Sequence, residues 1–188
     1  MTPFVQSVTS LFSTGALVIN LVTLFLIIVL VSRLMGVKAL WVNTVASFVS
    51  KHALTLMFLV AFVGTAGSLF YSNVAGFIPC KFCWYARLLL FPQVVIFAIA
   101  WYRSWMHKVT NHEVILYGGV LSLIGSAVTF YHYYGQRFSP GWLASCEAAG
   151  ISCSKLYFVH YGYITLPFMA FSIFALLTTI ALMRVLDR

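Results

Sequence analysis

The chain has 188 residues, of which 62% are hydrophobic and only 7% are charged. A soluble domain carries about 25% charged residues, so this composition excludes a soluble globular fold, and it also excludes a disordered chain. The formal net charge of +8 does not indicate nucleic-acid binding, because the basic residues are scattered singly along the sequence. The composition is that of an integral membrane protein.

Five apolar runs are long enough to cross a hydrocarbon core about 30 Å thick. In chain order, they predict membrane-spanning segments at residues 15–34, 53–71, 83–105, 114–134 and 161–183. The runs are continuously apolar, whereas strands of a membrane barrel alternate between polar and apolar residues, so we expect helices and an all-α protein. The first run lacks the basic start of a signal peptide, so we expect a retained span. Residues 35–51 fit an interfacial helix and a connecting loop equally well.

The basic residues predict how the spans are oriented, because cytoplasmic loops are enriched in Lys and Arg. If the N-terminus lies outside, seven basic residues are cytoplasmic: Arg33, Lys38, Lys51, Arg103, Lys108, Arg184 and Arg188. Four then lie outside: Lys81, Arg87, Arg137 and Lys155. We therefore expect a multi-pass protein of the cell membrane whose cysteine-containing loops are both extracytoplasmic.

The four cysteines form two short-range pairs, and none lies in the middle of a predicted span. Cys80 and Cys83 occur in IPCKFCWYAR, and Cys146 and Cys153 occur in SCEAAGISCSK. Structural staples are one interpretation, with three possible connectivities. A staple stabilises by closing a long loop, however, and a Cys80–Cys83 bond would close almost none. We therefore interpret the Cys-x-x-Cys pair as a redox centre.

Two further polar residues are expected near this pair at the same membrane level. The third span begins at about Cys83, so the helix N-terminus favours a Cys83 thiolate. Arg87 lies one helical turn further into the span, where a buried charge requires a partner, and we expect it to stabilise that thiolate. His132 lies among aromatic residues near the outer end of the fourth span. Arg87 and His132 would both suit a planar, apolar acceptor with two carbonyl groups.

The chain resembles the disulfide bond formation protein B family, most closely its short-loop, BdbC-like form. The resemblance covers about residues 53–183 and includes the stretches IPCKFCWYARLLLFPQ and LYFVHYGYITLPFMAF. Its specific residues are Cys80, Cys83, Tyr85, Arg87, His132, Cys146 and Cys153. The chain departs from the family in having Ala86 where an acid often precedes the arginine, and in having an additional N-terminal span.

The resemblance implies a four-helix redox domain at residues 51–188, preceded by an extra transmembrane helix and connecting segment at residues 1–50. It further implies a membrane thiol:quinone oxidoreductase that reoxidises a DsbA-like, thioredoxin-fold dithiol oxidase and passes electrons to ubiquinone or menaquinone. The partner would attack a Cys146–Cys153 disulfide at Cys146, and Cys153 would then reduce the Cys80–Cys83 disulfide at Cys80. Cys83 would deliver the electrons to a quinone beside Arg87, His132 and Tyr85.

Two other functions remain open at this stage. Four cysteines could bind zinc as thiolates, or could staple a structural bundle, although an oxidising compartment disfavours free thiolates. The chain could also be a quinone reductase of the vitamin K epoxide reductase type. The order of the cysteine motifs argues against this, because here the Cys-x-x-Cys motif precedes the loop pair. A c-type haem is excluded because Trp84 stands where the histidine of Cys-x-x-Cys-His is required.

Overall fold

The fold is a bundle of long helices. The computed structural model describes residues 2–37, 39–107, 112–143 and 152–187. Within these residues there are five α-helices, each long and apolar enough to cross a membrane, and a short 3-10 helix at Pro140–Leu143. The α-helices are α1 (Pro3–Leu34), α2 (Leu40–Asn73), α3 (Lys81–His107), α4 (His112–Arg137) and α5 (Leu166–Leu186). The prediction of an all-α membrane protein is confirmed.

The ends of the helices differ from the predicted spans in two places. Residues 40–51 form neither a separate interfacial helix nor a loop, because α2 begins at Leu40 and runs unbroken through them. The break between α1 and α2 is confined to a few residues around Gly36, whose φ of +80° is the left-handed conformation that glycine tolerates. The proposed domain boundary at residues 50/51 therefore falls inside a continuous helix.

The second difference is at the start of α5, which begins at Leu166 rather than at about Tyr161. Tyr161 and Gly162 have positive φ angles of 51° and 76°, and His160 pairs with Ile164 in an isolated antiparallel bridge. This tight turn stops the helix from starting earlier. Pro167 then occupies the first turn of α5, where its missing N–H costs nothing.

The core of the bundle is centred on α5. Glycines on α4 allow close packing: a Cβ at Gly125 would lie 2.5 Å from the Phe174 ring, and one at Gly119 would lie 2.7 Å from the Cβ of Ala181. On the other side of α4, Gly118 packs against Phe97 of α3 in the same way. Small residues allow helix backbones to approach closely in membranes. This packing fixes α3, α4 and α5 relative to one another.

The N-terminal helix α1 packs against α5 and α2 and is part of the same bundle. Its buried face includes the small residues Thr9, Ser13 and Ala16. The Thr9 and Ser13 hydroxyls donate to carbonyls one turn earlier at 2.7 Å, so both hydroxyls are paired within the helix. At the far end of the helix, Arg33 forms an ion pair with Asp187, which follows α5.

Candidate redox site

The Cys80–Cys83 pair lies at the N-terminus of α3. Pro79 precedes the pair, and the first intrahelical bond runs from the Trp84 amide to the Cys80 carbonyl at 3.1 Å, which makes Cys80 the N-cap. The Cys80 sulfur accepts the Cys83 amide at 3.4 Å, in the way that a serine hydroxyl caps a helix. The two Sγ atoms are 2.8 Å apart, so a small movement suffices to form a disulfide.

The environment that stabilises a thiolate surrounds Cys80. The Cys83 thiol and amide and the His132 imidazole all interact with its sulfur and hold the pKa of Cys80 well below the usual value, although burial opposes the shift. The sequence analysis predicts the start of the third span, and the stabilised thiolate, at about Cys83. In the structure α3 begins at Lys81, so that Cys80 rather than Cys83 occupies the cap.

Cys153 lies close to Cys80 at the end of the bundle where α3 begins. The sulfurs of Cys80 and Cys153 and an imidazole nitrogen of His132 all lie within 4.8 Å of one another. His132 Nε2 is 3.7 Å from the Cys80 sulfur and 3.1 Å from the Cys153 carbonyl oxygen. Cys80 and Cys153 are 5% and 1% exposed, so water is largely excluded from the contact between them. Cys146, its predicted partner, lies outside the described residues.

Aromatic and hydrogen-bonded contacts hold the segment after Cys153 against the loop before Cys80. Tyr157 stacks on Phe77 with ring centroids 4.3 Å apart and donates to the Ile78 carbonyl at 3.0 Å. Gln136 of α4 donates to the Lys155 carbonyl at 2.9 Å. These contacts bring Cys153 close to the Cys80–Cys83 pair.

The cluster of Cys80, His132 and Cys153 does not favour a metal site while Cys153 is oxidised to a disulfide. Cys80, His132 and Cys153 have the spacing of metal ligands. However, Cys153 is disulfide-bonded, and metals bind the thiolate form of cysteine. The same proximity is what thiol–disulfide exchange requires, since a thiolate must reach a disulfide sulfur directly.

An apolar cavity of about 200 Å³ lies on the inner side of the cysteine pair. Its lining comes from all five helices and from the adjoining loops and includes Cys83, Arg87 and His132 among mainly apolar residues. A dry cavity of about 150 Å³ is large enough for benzene, so this one accommodates a substituted ring. Of the Cys-x-x-Cys pair, Cys83 lines the cavity while Cys80 lies beside Cys153.

Arg87 is held at the cavity wall by one neighbour on α2. Its Nε and Nη2 donate to the Ser68 hydroxyl and carbonyl at 2.9 and 3.0 Å, and its guanidinium lies 5.4 Å from the centre of the Trp84 ring. Guanidinium has five N–H donors, so Ser68 orients the group without using all of them. His132 is held in turn by stacking on Phe82, with centroids 5.4 Å apart. The remaining guanidinium donors are thus positioned to donate to a carbonyl in the cavity, whereas Nε2 of His132 contacts the Cys80 sulfur and the Cys153 carbonyl oxygen.

Tyr85 does not join this cluster. It is 42% exposed and lies with Trp84 and Leu88 on the outward face of α3, whereas Phe82, Cys83, Ala86, Arg87 and Leu90 line the cavity. The helical period separates the two faces, so the predicted contact between Tyr85 and a quinone is not supported. Conversely, no pattern in the sequence indicates Ser68 or Tyr157, whose roles depend on contacts between distant segments.

Comparison with known proteins identifies the family. A family model described as Disulfide bond formation protein DsbB matches residues 50–184. The SPbeta prophage-derived disulfide bond formation protein B of Bacillus subtilis is 37% identical over 132 residues, covering 70% of this chain and 84% of that relative. A probable disulfide formation protein of Metapseudomonas resinovorans is 35% identical over 149 residues, covering 78% of this chain and 96% of that relative. No solved structure matches.

The chain therefore belongs to the disulfide bond formation protein B family. It is a multi-pass membrane protein with a role in disulfide-bond formation, and its family membership implies disulfide oxidoreductase activity. The family match begins at residue 50 and so excludes α1.

Proposed function

We propose that this protein oxidises a DsbA-like, thioredoxin-fold dithiol oxidase on the extracytoplasmic side and reduces a membrane quinone, either ubiquinone or menaquinone. The overall reaction converts the partner's dithiol and a quinone into the partner's disulfide and a quinol, so two electrons and two protons are transferred. The observation that carries the proposal is the position of the Cys80–Cys83 pair, between Cys153 on one side and the apolar cavity on the other.

In the proposed relay, the partner's thiolate attacks the Cys146–Cys153 disulfide at Cys146 and releases the Cys153 thiolate. The partner's second thiol then resolves the mixed disulfide and leaves as an oxidised disulfide. Cys153 attacks Cys80, whose sulfur lies within 4.8 Å, and Cys83 leaves as a thiolate. Attack by the Cys146 thiolate on Cys153 restores the outer disulfide and leaves Cys80 and Cys83 reduced.

The chain's own residues fit a quinone at the inner end of this relay. The cavity is mainly apolar and borders Cys83, and the Arg87 guanidinium and the His132 ring both line it. A quinone supplies a two-electron acceptor with two carbonyl oxygens. Arg87 and His132 would hold these oxygens and orient the ring beside Cys83, while the apolar lining excludes water. Ser68 would keep the guanidinium in place.

The proposed sidedness rests on the distribution of basic residues, with seven on one side and four on the other. It agrees with the chemistry, because dithiol oxidation for protein folding takes place in an oxidising compartment. Both ends of α3 are consistent with it: the cysteine pair lies at the N-terminal end, and Arg103 lies near the opposite end.

Turnover with purified components tests the proposal. The detergent-solubilised protein is mixed with a reduced thioredoxin-fold oxidase, and the absorbance of a ubiquinone or menaquinone analogue is followed. We expect quinone reduction that depends on the oxidase and is abolished in Cys83→Ser. Cys153→Ser should instead block electron entry while leaving reduction of the quinone by a small dithiol through the Cys80–Cys83 pair. Full turnover in Cys83→Ser would refute the assignment.

A further inference from the structure

The extra helix α1 contributes directly to the wall of the cavity. Phe12, Gly15, Ala16 and Ile19 line it, and their spacing places them on one face of the helix over about two turns. All four precede residue 50, where the match to the family begins. The cavity of this chain therefore has a wall that the four-helix part of the bundle does not supply.

Contacts along its length fix α1 in this position. The Phe12 ring packs against Phe70 and Tyr71 of α2, with centroid distances of 5.9 Å in both cases. The Thr14 hydroxyl lies 3.0 Å from the hydroxyl of Tyr161, in the turn before α5. At the opposite end, the ion pair between Arg33 and Asp187 ties α1 to the end of α5. The wall is therefore as well fixed as the rest of the bundle.

The lining residues on α1 and α2 also mark an opening of the cavity. Gly15 lines the cavity and is exposed, and a Cβ built on it meets no atom within 4 Å. Val63 on α2 also lines the cavity and is 49% exposed. Within a membrane, exposed positions along a spanning helix face hydrocarbon. An opening between α1 and α2 would therefore lead from the cavity into the lipid.

We infer that α1 is a specificity-determining element of the quinone site: with α2 it frames the lateral entrance, and the lack of a side chain at Gly15 keeps that entrance open. The inference rests on the proposed function and adds a role for the N-terminal helix. An isoprenoid-tailed ring requires an apolar route between the bilayer and Cys83, and the α1–α2 opening provides one. The width at Gly15 then limits the size of the ring that enters.

The substitution Gly15→Leu tests this role, because the side chain enters open space and leucine favours a helix more than glycine does. The measurement is equilibrium binding of short-tailed ubiquinone and menaquinone analogues to the fully oxidised protein, with no partner present. We expect dissociation constants raised about tenfold or more, the loss typical of a misfitting methylene group in an apolar pocket. The two-ring menaquinone analogue should lose more affinity than the one-ring ubiquinone analogue.

The matched control is Ser10→Leu, which adds the same side chain to an exposed position of α1 that does not line the cavity. It should bind both analogues like the unmodified protein. Unfolding midpoints of both variants verify folding. Unchanged dissociation constants in a folded Gly15→Leu variant would overturn the inference.

Photolabelling of the unmodified protein gives a second test that needs no variant. An azido-substituted quinone is bound, illuminated and mapped by peptide mass spectrometry, and we expect labels within residues 12–19 as well as on α3. Labels on α3 without any on α1 would overturn the role of α1 and leave the quinone site intact. Failure of the unmodified protein to bind either quinone would instead overturn the proposed function.

Discussion

Replacing His132 with phenylalanine tests whether Cys80 is the stabilised thiolate of the reduced pair. The imidazole lies 3.7 Å from the Cys80 sulfur and stacks on Phe82. Phenylalanine keeps a ring of similar size for the stacking contact and removes the nitrogen. The amide and thiol of Cys83 still interact with the Cys80 sulfur.

The expected shift follows from the strength of the lost interaction. A hydrogen bond to a charged group contributes about 1.5–3 kcal/mol, and 3.7 Å is a long contact, so we take the lower end of this range. Since about 1.4 kcal/mol corresponds to one pKa unit, the pKa of Cys80 should rise by roughly one unit. It should remain below the ordinary thiol value of about 8.5 because the contacts from Cys83 persist.

The pH dependence has a definite sign. The pKa of Cys80 in the folded protein is lowered, so the reduced protein keeps this thiolate as the pH falls below about 8.5 and loses it only on passing the lowered pKa. The substitution His132→Phe moves that loss to higher pH. The ultraviolet absorbance of the thiolate is measured against pH, with the reduced Cys80→Ser variant as the blank. The curve gives the midpoint of the Cys80 titration.

The control is His160→Phe, the same exchange at a histidine whose ring contacts Phe158 and Tyr161. It should leave the midpoint unchanged. An identical midpoint in folded His132→Phe and in the unmodified protein would refute the assignment of the imidazole as a thiolate partner. A midpoint near 8.5 in the unmodified protein would refute the Cys80 thiolate altogether.

Three further substitutions test the cavity wall, the contact between the two cysteine-bearing segments and the packing of α4 on α5. Arg87→Gln removes a charged donor from the cavity wall and should raise the KM for quinone about tenfold, with the KM for the oxidase unchanged. Tyr157→Phe removes the bond to the Ile78 carbonyl, worth about 1 kcal/mol, and should slow exchange between the cysteine pairs roughly fivefold in stopped-flow experiments. Gly125→Ala forces a Cβ against Phe174 and should lower the unfolding free energy by about 1–3 kcal/mol.

Each of these variants has a matched control in the chain. Arg137→Gln alters an exposed arginine that donates to the Gly162 carbonyl, Tyr163→Phe removes a hydroxyl elsewhere in the same loop, and Gly141→Ala adds a Cβ where no atom lies within 4 Å. If a control reproduces the effect of its partner, the effect is not specific to the contact in question. An unchanged quinone KM in Arg87→Gln would remove Arg87 from the site.

The spans could be predicted because a predominantly apolar run of about 20 residues has few alternatives in a membrane. The helix ends could not be predicted as well, because they depend on local backbone detail. Apolar residues continue on both sides of Tyr161, so hydropathy alone extends α5 to that residue, whereas the structure has a tight turn there. In the same way, the polar residues between 38 and 51 suggested an interruption, although no glycine or proline breaks α2 there.

The candidate site shows a similar division between local and tertiary information. The short spacing from Cys83 to Arg87 on one helix sufficed to place both side chains at one cavity. The same helical period, applied to Tyr85, would have placed it on the opposite face. Ser68 became identifiable only through packing of α2 on α3, which no pattern in the sequence of either helix specifies.

The position of the cysteine pair at a helix N-terminus explains how one motif can serve two reaction partners. Cys80 caps the helix and meets Cys153, while Cys83, three residues on, lines the cavity. Stabilising the Cys80 thiolate favours the reduced pair and makes its disulfide more oxidising, by about 30 mV for each 1.4 kcal/mol. Oxidases of the DsbA kind have potentials near −120 mV, so electrons can leave them only for an acceptor that is stronger still. In the proposed relay, Cys80 accepts electrons from the outer pair and Cys83 delivers them to the quinone. The potentials set the direction of the flow, and the placement of the two sulfurs lets each of them reach its own partner.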